Sequence, residues 1–259
     1  MRVLFVGDVV SVPGCEFLRQ VLPGFKKMQE IDFCVVNGEN SAVGNGITPA
    51  SLSHLLTSGA DLVTGGNHSL RRNEIFETLD RPNAGLLRPA NFHRSAPGGG
   101  TAILEKRGLR LGVANLMGSI YMDYAENPFD ALDSVLEFFA AERAVCTMVD
   151  FHAEATSEKR AMGFYADGRC SALFGTHTHV QTADEQILPG GTAYITDVGM
   201  TGVKQSVLGV KTENATKKMR TGLPVRFDPA DGPAMMNCVI VEIENTTGRA
   251  MNVERFCIE

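Results

Sequence analysis

Residues 172–179 read Ala-Leu-Phe-Gly-Thr-His-Thr-His, a short apolar run that stops on a histidine doublet. The run has the length of a buried strand. Working outward, the same arrangement recurs. The run Val3–Val6 leads into Gly7-Asp8, and Phe33–Val36 into Asn37-Gly38-Glu39-Asn40. Leu62–Thr64 leads into Gly65-Gly66-Asn67-His68, and Cys146–Phe151 carries Asp150 and leads into His152. In open α/β sheets, ligands bind outside the carboxyl ends of the strands. Five strand ends are therefore predicted to bring Asp, Glu, two Asn and four of the six histidines to one edge.

Each motif also has a plainer reading. Asp8 could be a helix cap, Glu39-Asn40 a polar turn, and Asn67-His68 a buried pair satisfied by hydrogen bonds. The doublet carries more. On an extended segment, residues i and i+2 point the same way, so His177 and His179 are predicted to face one side as a chelate. Imidazole with carboxylate suits zinc, iron, manganese or nickel. His54 and His93 lack such a setting and read as surface or packing residues.

Further strands are predicted at Ala102–Leu104, Leu111–Asn115, Ala193–Thr196, Cys238–Ile243 and Met251–Phe256. Helices are predicted at Phe17–Gln29, Pro49–Ser58, Arg72–Leu79, Phe129–Ala141, Ser157–Ala166 and Glu213–Thr221. Thr48-Pro49 reads as an N-cap followed by proline at the first helical position. Strands alternating with helices predict a layered α/β fold. The Glu244-to-Arg249 turn predicts an antiparallel pair, and hence mixed sheets. No linker or repeat divides the 259 residues, so one domain is expected over 1–259.

The net charge is −6, and the basic runs (Arg71-Arg72; Lys217-Lys218 with Arg220) are short. These read as solvated helix faces, and no extended nucleic-acid surface is expected. The N-terminal apolar run is too short for a signal segment, and no stretch reaches the ~18 residues of a membrane span. Six dispersed cysteines without a CxxC pair read as reduced core thiols. A cytoplasmic protein is expected.

Taken together, the order Asp8, Gly38-Glu39-Asn40, Gly66-Asn67-His68, His152 and Gly175-Thr176-His177-Thr178-His179 resembles the calcineurin-like metallophosphoesterase superfamily. Longer strings resemble its YmdB-like phosphodiesterase branch. They include Gly7-Asp8-Val9-Val10, Val36-Asn37-Gly38-Glu39-Asn40 and Arg88-Pro89-Ala90-Asn91. The stretches from Asp150 to Lys159, from Gly175 to Asp184 and from Ile195 to Gly202, and Thr221-Gly222-Leu223-Pro224, add to the resemblance.

The resemblance implies a four-layer α/β/β/α sandwich of two mixed sheets, with two metal ions at the sheet edge. It implies Asp8, Glu39, Asn40 and His179 around the first metal. Glu39, Asn67, His152 and His177 would surround the second, with Glu39 bridging. Iron or manganese is expected, with zinc third. The implied activity is hydrolysis of cyclic nucleotides, foremost 2′,3′-cyclic nucleotides and then 3′,5′-cyclic AMP. A metal-bridging hydroxide would attack, with His68 as general acid. A homo-oligomer is also implied.

Two other outcomes stay open. One is a different metallophosphoesterase activity: phosphomonoesterase, 5′-nucleotidase or phosphoprotein phosphatase. The other is a regulatory RNA- or protein-binding role with little turnover. Asp150 could orient a ligand or be a core-edge polar residue. With no Trp and only four Tyr, no base-stacking platform is evident. Two segments depart from the family's pattern: Ser11-Val12-Pro13-Gly14-Cys15 and Ser69-Leu70-Arg71-Arg72. Both flank the predicted site, where they bear on substrate preference.

Overall fold

A computed structural model describes residues 1–259. Its strands form two sheets. In the eight-stranded sheet, Arg2–Val6, Phe33–Asn37, Leu62–Thr64 and Leu86–Leu87 run parallel in that order. On the other side of Arg2–Val6 lies the antiparallel strand Ala234–Ile243, which also pairs with Met200–Val203 and Ala250–Ile258. The two-residue strand Asp8–Val9 closes that edge. The six-stranded sheet has a parallel centre of Leu109–Met117, Thr147–His152, Ala172–Thr176 and Ala193–Ile195. Antiparallel edges at Thr101–Lys106 and Gln186–Ile187 flank it. Both sheets are mixed, as the turn after Ile243 predicts.

Side-chain alternation explains the layering. Val3 and Phe5 face the second sheet, where they meet Val113, Met148 and Phe174; the Phe5 and Phe174 rings lie 5.9 Å apart. Leu4 and Val6 face the opposite way, onto the helices Ser11–Met28 and Pro49–Thr57. In the other sheet Leu116, Val149 and Phe151 pack outward against Pro128–Ala141 and Thr156–Ala166. A strand covered on both faces has no polar side to show, so it reads as an unbroken apolar run. The result is the four-layer α/β/β/α sandwich. No helix is long and apolar enough to cross a membrane.

Several boundaries differ from the sequence expectation. The first helix begins at Ser11, six residues before Phe17. Pro13 lies in its first turn, where the missing N–H would have had no helical partner. Gly14 is required there, because a Cβ would come within 2.3 Å of the Thr201 carbonyl oxygen. The stretch Arg72–Leu79 is a 3₁₀ turn, Asn73–Ile75, followed by the single α-turn Phe76–Leu79. Thr48 caps Pro49–Thr57 as expected, accepting a hydrogen bond from the Ser51 N–H.

Candidate metal centre

The carboxyl ends of both sheets meet at one seam. The eight-stranded sheet delivers Asp8, Glu39, Asn40, Asn67 and His68 there; the six-stranded sheet delivers His152, His177 and His179. The eight predicted site residues thus come together from strand ends remote in sequence. Asp8, Glu39 and His152 are fully buried.

The contacts fall into two groups that meet at Glu39. Around Glu39 Oε2, His152 Nε2 lies at 3.3 Å, 3.0 Å from Asn67 Oδ1 and 3.1 Å from His177 Nδ1. Around Glu39 Oε1, the Asn40 carboxamide nitrogen approaches to 2.7 Å and lies 3.1 Å from His179 Nε2. His179 Nε2 is in turn 3.8 Å from Asp8 Oδ1. The first group offers three ligand atoms within 4.8 Å of one another, and the single Glu39 carboxylate touches both groups.

The residues fit a cation. Asp8 Oδ1 is buried and has no hydrogen-bond partner. His152 Nε2 and His177 Nδ1 face each other, although one proton cannot satisfy both nitrogens and the two nearby oxygens as well. Glu39, His152 and His177 offer ligand atoms all within 4.8 Å of one another. Burial opposes charge on Glu39, yet His152 and His68 hold its carboxyl well below the usual carboxylate range. Burial, helped by His152, pushes the His177 imidazole down to about 3, the neutral form that binds metals. At His152 burial is outweighed by Glu39, Asp8 and Asp150, which raise it to about 9. The carboxylates demand positive charge here, from a proton or from a cation.

Each imidazole is oriented from outside, as metal-binding histidines are. His177 Nε2 lies 3.0 Å from Glu154 Oε2, and His179 Nδ1 lies 3.2 Å from the Leu208 carbonyl. His152 Nδ1 lies 2.9 Å from Thr176 Oγ1, which donates to Asp150 Oδ1 at 2.7 Å. Asp150 also accepts from Asn37 Nδ2 at 2.9 Å and Thr64 Oγ1 at 2.5 Å. Burial pushes its carboxyl up to about 6. Of its two sequence readings, Asp150 takes the one that orients a site histidine, acting through Thr176. The signal for Asn37, Thr64 and Thr176 is their position: each is the polar last residue of a buried strand.

The doublet is not extended. The strand ends at Thr176, and His177 and His179 have φ of 103° and 65°. Non-glycine residues in this region are strained and need outside support. The His177 N–H donates to Asp8 Oδ2 at 3.2 Å and the Thr178 N–H to Asp197 Oδ2 at 3.0 Å. Asp197 is itself fixed by the buried Lys159, at 2.6 Å. The two imidazoles therefore converge through a supported turn, not through the period of a strand. Neither Lys159 nor Asp197 carries a local sequence signal for this role.

His68 sits beside both groups. Its Nδ1 is 3.0 Å from Glu39 Oε1 and from Asn40 Oδ1. Its Nε2 lies 3.4 Å from the Asn67 carboxamide nitrogen and 3.5 Å from that of Asn45. Gly66 permits this closeness, since a Cβ there would meet Glu39 Oε2 at 2.4 Å and His152 Nε2 at 2.5 Å. His54 lies outside the site, its Nε2 3.1 Å from the Cys15 carbonyl, and His93 pairs with Ser95.

The fold is that of the metallophosphoesterases and nucleotidases. The structure of NAD nucleotidase from Haemophilus influenzae superposes with a TM-score of 0.62 at 10% identity, over 99% of this chain and 55% of that one. Within that class the chain belongs to the YmdB-like protein family, whose sequence model matches residues 4–256. The 2′,3′-cyclic-nucleotide 2′-phosphodiesterase of Bacillus subtilis is 46% identical over 100% of this chain and 97% of its own. A Thermus thermophilus protein of known structure superposes with a TM-score of 0.92 at 40% identity, covering 99% of this chain and 98% of that one.

Proposed function

We propose that the chain is a dinuclear metal-dependent phosphodiesterase acting on 2′,3′-cyclic nucleotides, with 3′,5′-cyclic AMP as a second substrate. The observation that carries the reading is the pair of donor groups joined by the two oxygens of Glu39. The cyclic-nucleotide activity named for the B. subtilis relative supports the substrate class. Asp8, Glu39, Asn40 and His179 would hold one cation, and Glu39, Asn67, His152 and His177 the other. Two bound cations would neutralise the phosphoryl oxygens and acidify the attacking water. Iron or manganese fits the mixed imidazole, carboxamide and carboxylate set best, with zinc third.

The chain's own residues do the rest. Asn67, and Asn40 with its carboxamide turned so that the oxygen faces His179, would offer neutral oxygens, so the site would keep net positive charge for an anionic diester. Asp8 and Glu39 supply the negative charge that retains the cations. His68 is held through Nδ1 by Glu39 at 3.0 Å, which leaves Nε2 to give its proton to the departing 2′-oxygen. The phosphorus–O2′ bond breaks, the water's oxygen joins phosphorus, and a nucleoside 3′-phosphate leaves. The reading takes residues 1–259 as one domain working in the cytoplasm, which the six unbridged cysteines support. Assembly as a homo-oligomer rests on the family resemblance alone.

The test is metal content per chain, followed by turnover of 2′,3′-cyclic AMP with chromatography of the products. Two metals and release of adenosine 3′-phosphate are expected. Release of inorganic phosphate from monoesters, with the cyclic diester untouched, would replace this reading by the phosphomonoesterase one.

A further inference from the structure

Next to His68 lies a cavity of about 280 Å³. This is near the lower end of the roughly 300–1,000 Å³ of small-molecule sites. It borders the metal centre on two sides. Asn40 lines it, as does Asn45, whose carboxamide is 3.5 Å from His68 Nε2. On the far side its wall includes Gly209, next to Leu208, whose carbonyl oxygen meets His179 Nδ1.

The lining combines an apolar face with polar groups that lack partners. Val10, Val225 and Phe227 supply the apolar part, and 48% of the Phe227 surface is exposed. Ser11 is only 5% exposed, yet its hydroxyl has no hydrogen-bond partner in the protein. A buried hydroxyl left unpaired is costly, so it calls for a ligand or water. Arg71 brings a guanidinium with no carboxylate within ion-pair reach; it lines the cavity from a bend, not from the solvated helix face expected of it. The Phe227 loop is anchored, not loose. The Lys211 N–H donates to the Asp228 carbonyl at 3.0 Å and the Ala230 N–H to the Gly209 carbonyl at 2.9 Å. Both segments that depart from the family's pattern, at Ser11 and at Arg71, contribute to this cavity.

We propose that this cavity is the nucleoside subsite of the diester, a proposal that rests on the phosphodiesterase reading above. The base stacks on the Phe227 ring. The ribose or the base edge meets the Ser11 hydroxyl, and Arg71 faces the ligand's oxygens. The stacking platform missing from the Trp and Tyr count is thus a phenylalanine, supplied by a loop remote in sequence from every predicted ligand. The preference for nucleoside diesters over diesters without a base is set here, apart from the chemistry at the metals.

The experiment compares metal-loaded wild type with Phe227→Ala, Phe227→Tyr and Ser11→Ala. The substrates are 2′,3′-cyclic AMP and glycerol 1,2-cyclic phosphate, which has no base. Binding of adenosine 3′-phosphate is measured separately by calorimetry. Base–aromatic stacking predicts that Phe227→Ala lowers the kcat/KM preference for the nucleotide about tenfold, chiefly through KM. Adenosine 3′-phosphate should bind about tenfold more weakly, and Phe227→Tyr should restore both quantities. Ser11→Ala should shift the preference the same way by less. An unchanged preference and unchanged binding in Phe227→Ala overturn the subsite. Wild type that binds adenosine 3′-phosphate through Phe227 but hydrolyses neither diester overturns the phosphodiesterase reading and leaves the subsite standing. Wild type that neither binds nor hydrolyses overturns both.

Discussion

At the residue scale, Glu39 and His68 touch each other at 3.0 Å but are assigned different work. His68→Ala should keep both metals while turnover of 2′,3′-cyclic AMP falls by about 10²–10⁴-fold, the usual worth of a general acid. The loss should shrink for a diester with a nitrophenolate leaving group, which needs no proton. Glu39→Gln removes the charge shared by the two donor groups. Its metal content should drop, and activity should fall alike for good and poor leaving groups. Elemental analysis and a leaving-group series check both variants. Empty metal sites in His68→Ala, or equal losses on every substrate, would make His68 a packing or ligand residue and sink the proton-donor role.

At the scale of elements, the strands aim the site but a turn completes it. Five strand ends converge because parallel strands share a carboxyl edge, which the sequence pattern discloses. The turn after Thr176 is different. Between its two positive-φ histidines the Thr178 N–H is held by Asp197, and Asp197 by Lys159, the last two about 1% exposed at the side chain. Removing one partner of a buried ion pair costs about 3–5 kcal/mol. Asp197→Ala should therefore lower thermal stability by about that amount. It should also weaken metal binding through His177 and His179, because the Thr178 N–H loses its acceptor. Replacing Lys159 by Met in the same chain should recover much of the stability without recovering metal affinity. Titration of metal into each variant, beside a melting curve, distinguishes the outcomes. Metal affinity that returns along with stability would reduce the pair to a purely structural role.

At the scale of the whole molecule, the donors come from both sheets, so a cation bound at the seam ties one sheet to the other. A ligand at a thousandfold excess over its Kd stabilises the native state by about 4 kcal/mol. For a chain of this size that is a rise in Tm on the order of 10 °C. Metal-loaded protein should melt that much higher than chelator-treated protein, and chelation should return Tm to the lower value. Calorimetry showing the same Tm with and without metal would argue against ligands shared between the sheets.

What the sequence determined by itself was the layering and the ingredients. Buried strands such as Phe33–Asn37 show as apolar runs because both their faces are covered, and Asp8, Glu39, Asn67 and His152 stand out as polar stops at their ends. Glycine spacing and the Thr48-Pro49 cap are legible for a related reason: they act over a few bonds. The first helix reads too short in the sequence because Pro13 and Gly14 look like a turn until Thr201 is seen to need the room that Gly14 leaves. Only the tertiary structure decided which partners meet. Asp150 reaches His152 through Thr176, Asp197 holds a turn 19 residues upstream, and Phe227 comes from a distant loop to line the same cavity as Arg71. Local pattern records which residues are buried and which are polar. It cannot record distances between segments remote in sequence, which are fixed only when the sheets pack and the loops close over their shared edge.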